Sequence, residues 1–312
     1  MIEKKIFIGG CDRSGTTLLA SMLASIEGCV ATPESQFKSL LIDGADKEIS
    51  EKDRSKILDD LKNNFRFRIW LERKGFTDVL SESIKKSETK RDLLESIVSS
   101  YALHGNPVCW VDHTPSNIQS IFELKETFPE AVFIHIVRDG RAVASSVLPL
   151  PWGPNTTYHA ADWWAYRVSF GCAAEIAWPE RVHRVSYESL VMDPENTLQE
   201  LCKKINLTYN PIMLTGSGFA LPTYTKKQHG YVGDHVKLSQ VDNWKNRLSE
   251  RDIAVFEAKV SGLLYSFDYK LHCNRANLPR FGERLKINIK ELIGVSLNMI
   301  KQRSRVRKLP RT

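Results

Sequence analysis

Gly10 and Gly15 enclose Cys11-Asp12-Arg13-Ser14, and Thr16 and Thr17 follow at once. An apolar run, residues 6–8, precedes them, while Leu18, Leu19, Met22, Leu23 and Ile26 follow at helical spacing. A strand that turns through glycines into a helix start presents free backbone N–H groups to an anion, reinforced by the helix dipole. Ser14, Thr16 and Thr17 add hydroxyl donors, and Arg13 adds a planar cationic fork. The Gly-x4-Gly spacing matches a phosphate-binding loop, yet Thr16 stands where that loop carries lysine. The point charge that grips the terminal phosphate of a triphosphate is missing. The loop suggests a nucleotide whose transferred group carries less charge. For this segment alone, a strand-to-helix turn with incidental hydroxyl caps is the plainer alternative.

A second anion site is encoded further along. The apolar strand 132–137 ends in Arg138-Asp139-Gly140-Arg141, and a helix begins there that carries Ser146. Arg138 therefore falls at the carboxyl edge of a sheet, where open α/β folds bind ligands. Arg138 and Ser146 together could hold a second phosphate; an Arg–Asp capping pair is the structural alternative. The apolar strand Cys109-Trp110-Val111-Asp112 ends in aspartate like a metal ligand of a P-loop kinase or NTPase. The missing loop lysine weighs against that reading. A non-catalytic nucleotide-binding module is a further alternative.

Taken together, Arg13 to Thr17 and Arg138 with Ser146 resemble the sulfotransferases that use 3′-phosphoadenylyl sulfate (PAPS). The resemblance runs from residue 4 to about 270 and is closest to the tyrosylprotein-sulfotransferase-like and bacterial branch. It implies that Arg13, Ser14, Gly15, Thr16 and Thr17 cradle the 5′-phosphosulfate and that Arg138 and Ser146 bind the 3′-phosphate. It further implies Glu34 as catalytic base, Tyr187 as a nucleotide contact, and 226–237 as a basic lid. Lys226, Lys227 and Lys237 supply the lid's charge, and Trp244 matches the tryptophan after it. His113 departs from the pattern, since the family often has lysine there; the cytosolic small-molecule sulfotransferases carry a catalytic histidine nearby. Glu34 and His113 thus both qualify as the base, with His113 otherwise orienting the acceptor or supporting the bridging oxygen. No metal is required by this reading. The acceptor would bear a hydroxyl or amine, with carbohydrate, lipid or another small molecule favoured over protein tyrosine. Trp152, Trp163, Trp164 and Tyr166 could line its cleft, although aromatics at helical spacing are more often core.

These residues need a scaffold of alternating strands and helices. Strands are expected at 5–9, 29–32, 108–112, 131–137 and 181–186. Helices are expected near 16–27, 53–63, 89–104, 116–127, 140–148, 159–177 and 195–205, and again over 243–265 after a long loop at 206–243. The pattern predicts an α/β fold of the P-loop type, three layers with a central, mostly parallel sheet flanked by helices. Residues 1–275 would form the catalytic domain. Residues 276–312 would add an amphipathic helix, with Leu285, Ile289, Leu292, Ile293 and Ile300 on one face, and a basic tail.

Of 312 residues, 42% are hydrophobic and 26% charged, as in ordinary globular proteins. The net charge of +7 is local: Lys301, Arg303, Arg305, Arg307, Lys308 and Arg311 leave 38 of the 44 basic residues against 37 acidic ones. Such a tail suits peripheral contact with an anionic membrane, a solvated terminus being the plain alternative; no nucleic-acid partner is expected. The six cysteines form no C-x-x-C pair, and the first strand starts too near Met1 for a signal peptide. A cytoplasmic protein with reduced thiols is expected. The sequence does not set the oligomeric state.

Overall fold

The computed structural model describes residues 2–103, 107–220 and 241–306, with side chains 78, 79, 81–83, 305 and 306 left out. The lid residues Lys226, Lys227 and Lys237 therefore lie outside the described residues. In chain order the elements up to residue 204 are β1 (Lys4–Gly10), α1 (Thr16–Leu23), β2 (Cys29–Thr32), α2 (Ser39–Ile42), α3 (Glu51–Asn63), α4 (Phe65–Trp70), α5 (Phe76–Lys86), α6 (Lys90–Tyr101), β3 (Cys109–Asp112), α7 (Ile121–Thr127), β4 (Val132–Val137), α8 (Gly140–Val147), α9 (Thr157–Ala177), β5 (Val182–Ser186), α10 (Tyr187–Met192) and α11 (Pro194–Lys204). Helices Trp244–Arg247, Glu250–Ser266 and Phe281–Val306 follow.

The five strands form one sheet in the order β2-β3-β1-β4-β5, and every pairing is parallel. All five carboxyl ends therefore point to one edge. Successive side chains of β1 divide the core between the two faces. Phe7 joins Trp110 and Phe133 beneath the helices between β2 and β3; Ile6 and Ile8 join Val111, Ile134 and Ile136 beneath α1 and α11. A further cluster packs α9 against the helix Glu250–Ser266, with Trp164 and Phe256 fully buried.

The strands fall where the sequence places them, with ends shifted by a residue or so. The helices α2, α4, α5 and α10 were not expected. Phe65-Arg-Phe-Arg-Ile-Trp70 alternates in a way that suits a strand, but Asn64 caps the segment as a helix by accepting from the backbone N–H groups of Arg66 and Phe67. The single helix expected over 243–265 is two, because Leu248 adopts an extended conformation and Ser249 caps a new start through Asp252 N. Of the expected cleft aromatics, Trp164 is core: its indole N–H donates to the Arg138 carbonyl at 3.1 Å.

Candidate active site

Each strand delivers one candidate residue just past its carboxyl end. The glycine-bounded loop follows β1, Glu34 follows β2, His113 follows β3, Arg138 follows β4 and Tyr187 follows β5. Because β1 is central, Arg138 and Tyr187 lie on one side of the loop and His113 and Glu34 on the other. The crossover direction reverses at β1, which makes the loop a topological switch point.

The loop is shaped by positive φ angles at Gly10 (153°), Arg13 (69°) and Gly15 (98°). At Gly15 a Cβ would come within 2.5 Å of the Tyr187 ring, so only glycine fits that contact. No side chain caps the start of α1. The Ser14 hydroxyl is buried there without a hydrogen-bond partner among the described residues. Open amides and an unpartnered hydroxyl at a helix start are what an anion would satisfy.

Arg13 and Arg138 converge. Arg13 Nε donates to Ser146 Oγ at 3.1 Å, and Arg138 Nη1 donates to the Arg13 carbonyl at 3.0 Å. The Arg138 guanidinium lies 4.2 Å above the Tyr187 ring, and its Nε is buried without a partner among the described residues. Burial, followed by the neighbouring Arg138 charge, lowers the pKa of Arg13, with Asp12, Glu34 and Tyr187 opposing. Two cations held this close concentrate positive potential beside the loop. Their neighbours Asp139 and Arg141 do form a capping pair: the Asp139 carboxylate accepts from Arg141 N at 2.9 Å and from Arg141 Nη2 at 2.7 Å. The motif thus divides, with Arg138 turned to the loop and Asp139–Arg141 holding α8 in place. Trp244 is buried 4.2 Å from the Arg141 guanidinium.

On the other side, His113 Nδ1 lies 3.4 Å from Thr17 Oγ1, while Nε2 is buried with no partner among the described residues. Burial pushes the His113 pKa down, Glu34 and Asp112 pulling the other way, so the ring is neutral near pH 7. Glu34 Oε2 accepts from Arg66 at 3.0 Å and from Gln36 at 2.8 Å. Behind these residues lies a buried network that the sequence did not announce. Asp112 Oδ1 accepts from Thr114 N (2.8 Å) and Asn117 Nδ2 (3.0 Å); Oδ2 accepts from Ser35 Oγ and pairs with Lys38 Nζ (3.4 Å). Burial alone would raise the Asp112 pKa, but Lys38 and the hydrogen bonds from Ser35 and Thr114 outweigh it and hold it low. The aspartate that resembled a metal ligand has both oxygens committed to protein donors. Lys38 and Arg66 escaped notice because nothing local marks them: one lies in a 3-10 turn and the other on α4.

An all-parallel α/β sheet thus brings Arg13 and Arg138 together beside a glycine-bounded loop at its switch point, the place where open α/β folds bind ligands. Residues 5–211 match the Sulfotransferase family, and the chain belongs to it: it is a PAPS-dependent sulfotransferase. Protein-tyrosine sulfotransferase 1 of Danio rerio is 27% identical over 295 residues, which cover 88% of this chain and 75% of that protein. Two solved structures share the fold. The sulfotransferase domain of the Synechococcus PCC 7002 olefin synthase superposes with a TM-score of 0.60 at 20% identity, over 86% of this chain and 95% of that one. The sulfotransferase domain from the curacin biosynthetic pathway gives 0.55 at 18% identity, over 86% and 98%.

Proposed function

We propose that the protein moves a sulfuryl group from PAPS to a hydroxyl or amine of a carbohydrate, lipid or other small molecule, with Glu34 as general base. The observation that carries this reading is the split of the site about the loop, cations on one side and Glu34 with His113 on the other. Bound PAPS would supply the transferable sulfuryl group and a nucleotide leaving group. The unpartnered Ser14 hydroxyl and Arg138 Nε are suited to such an anion. Ser14, Gly15, Thr16 and Thr17, with Arg13, hold the 5′ end and stabilise charge on the equatorial oxygens as transfer proceeds. Arg138 and Ser146 hold the 3′-phosphate. Tyr187 supports both anion sites from below, packed on Gly15 and under Arg138. By the family resemblance, Lys226, Lys227 and Lys237 would add cationic contacts to the nucleotide. Glu34 takes the acceptor proton, its carboxylate aimed by Arg66 and Gln36. Neutral His113, tethered to Thr17, turns Nε2 to the acceptor or the bridging oxygen.

Peptide tyrosine is a second reading for the acceptor, favoured by the name of the 27% identical relative. Thermal stabilisation by 3′,5′-adenosine bisphosphate, set against ATP with Mg²⁺, tests the donor. Stabilisation by the bisphosphate is expected, and a preference for Mg²⁺-ATP overturns the reading. Transfer of labelled sulfate from PAPS to a panel of sugars, lipids, phenols and tyrosine peptides separates the acceptors. Exclusive labelling of peptides would replace the first acceptor class with the second.

A further inference from the structure

The helix Phe281–Val306 docks on the body by its polar side. Its half-buried positions are Glu283, Ile287, Glu291, Gly294, Asn298 and Gln302, a stripe at spacings of three and four residues. Glu283 pairs with Arg251 at 2.7 Å. Glu291 accepts from Asn155 N at 3.0 Å and from Thr156 Oγ1 at 3.1 Å, and lies 3.4 Å from His159. Asn298 Nδ2 donates to Asn155 Oδ1 at 2.9 Å, and Gly294 lets the helix backbone lie directly on Asn155. The opposite side carries Phe281, Leu285, Ile289, Leu292, Met299 and Ile300, which are between 48% and 86% exposed. An amphipathic helix ordinarily does the reverse and buries its apolar side in the protein.

The charges sort in the same direction. Only two acids occur from residue 281 onward, Glu283 and Glu291, and both face the body. Lys286, Lys290, Lys301 and Arg303 are exposed. The outward surface is therefore apolar and cationic, with no negative charge. A second copy of the helix would bring cation against cation. An anionic bilayer offers hydrocarbon to the leucines and isoleucines and countercharge to the lysines and arginines at once. No helix among the described residues is long and apolar enough to cross a membrane. At about 1.5 Å per residue, 26 residues give a rod of roughly 40 Å that can lie along a surface.

We propose that this helix is a membrane-surface anchor, seated in the headgroup region of an anionic bilayer with Phe281, Leu285, Ile289 and Leu292 inserted. The inference stands apart from the sulfotransferase chemistry. The test is flotation of the full chain with phosphatidylcholine vesicles containing about 30 mol % phosphatidylserine. Wild type is expected to float with these vesicles, and less so in about 0.5 M salt, where the screening length falls to a few ångström. Leu285→Asp/Ile289→Asp/Leu292→Asp is expected to cut partitioning roughly a hundredfold. These side chains are exposed, so the thermal melt should stay within a degree or so of wild type. Failure of the wild type to float overturns the proposal, as does equal flotation of the triple variant. A helix-dependent dimer in sedimentation that leaves vesicles unbound overturns it in favour of self-association.

Discussion

Glu34 and His113 share one side of the loop but are held differently, and their variants should separate. Glu34→Gln keeps the hydrogen bond from Gln36 and loses the carboxylate. It is expected to lower kcat by a factor of about 10²–10⁴, with affinity for 3′,5′-adenosine bisphosphate nearly unchanged. Ser146→Ala should do the opposite, weakening bisphosphate binding about tenfold in calorimetry by removing a charge-assisted contact, with kcat less affected. His113 makes a prediction about pH. Its pKa is lowered in the fold, so the unfolded chain takes up its proton first as pH falls. The stability that His113 contributes is whole above about pH 6.5 and drains away as pH drops toward its lowered folded value. Urea melts across that window should show His113→Asn losing less stability with acid than wild type does. Equal slopes would place the acid sensitivity elsewhere. Glu34 and His113 were singled out through the family resemblance, and the strands each of them follows were legible in the sequence. Arg66, which aims Glu34, was not, because it arrives from α4 by tertiary packing.

At the scale of elements, the five strands could be read because parallel strands covered on both faces are short, continuous apolar runs. The stretch between α3 and α6 could not. The alternation from Phe65 to Trp70 suits either period, and the decision falls to the Asn64 cap and to the packing of Trp70 against Phe37. The pairing of Lys38 with Asp112 was equally hidden, since it joins a 3-10 turn to a strand end 74 residues away. That pair ties the segment bearing Glu34 to the strand bearing His113. Lys38→Met should destabilise the protein by about 3–5 kcal/mol in chemical denaturation, because Asp112 is left buried and charged. Adding Asp112→Asn should recover part of the loss. At the other end of the site, Gly15→Ala combines a left-handed φ with contact against Tyr187 and should cost about 1–3 kcal/mol. A change within error would mean that Tyr187 moves freely.

On the scale of the whole molecule, all five strand ends point to one edge, and the proposed nucleotide contacts follow β1, β4 and β5 within that single sheet. Binding should therefore stabilise the fold as a unit. A bisphosphate ligand at a hundredfold excess over Kd is expected to raise Tm by about 5 °C in a single cooperative transition. Two separated transitions, only one of them ligand-sensitive, would contradict this. The loop that gathers those strands also carries a built-in opposition. Arg13 holds a φ of 69°, a conformation comfortable for glycine, and burial followed by a second guanidinium lowers its pKa. With no anion bound, Arg13→Gly should relax both strains and hold or raise Tm, even as it destroys activity. Laboratory selection for heat resistance alone would then drift toward inactive proteins at this position, and only selection for turnover would keep the arginine.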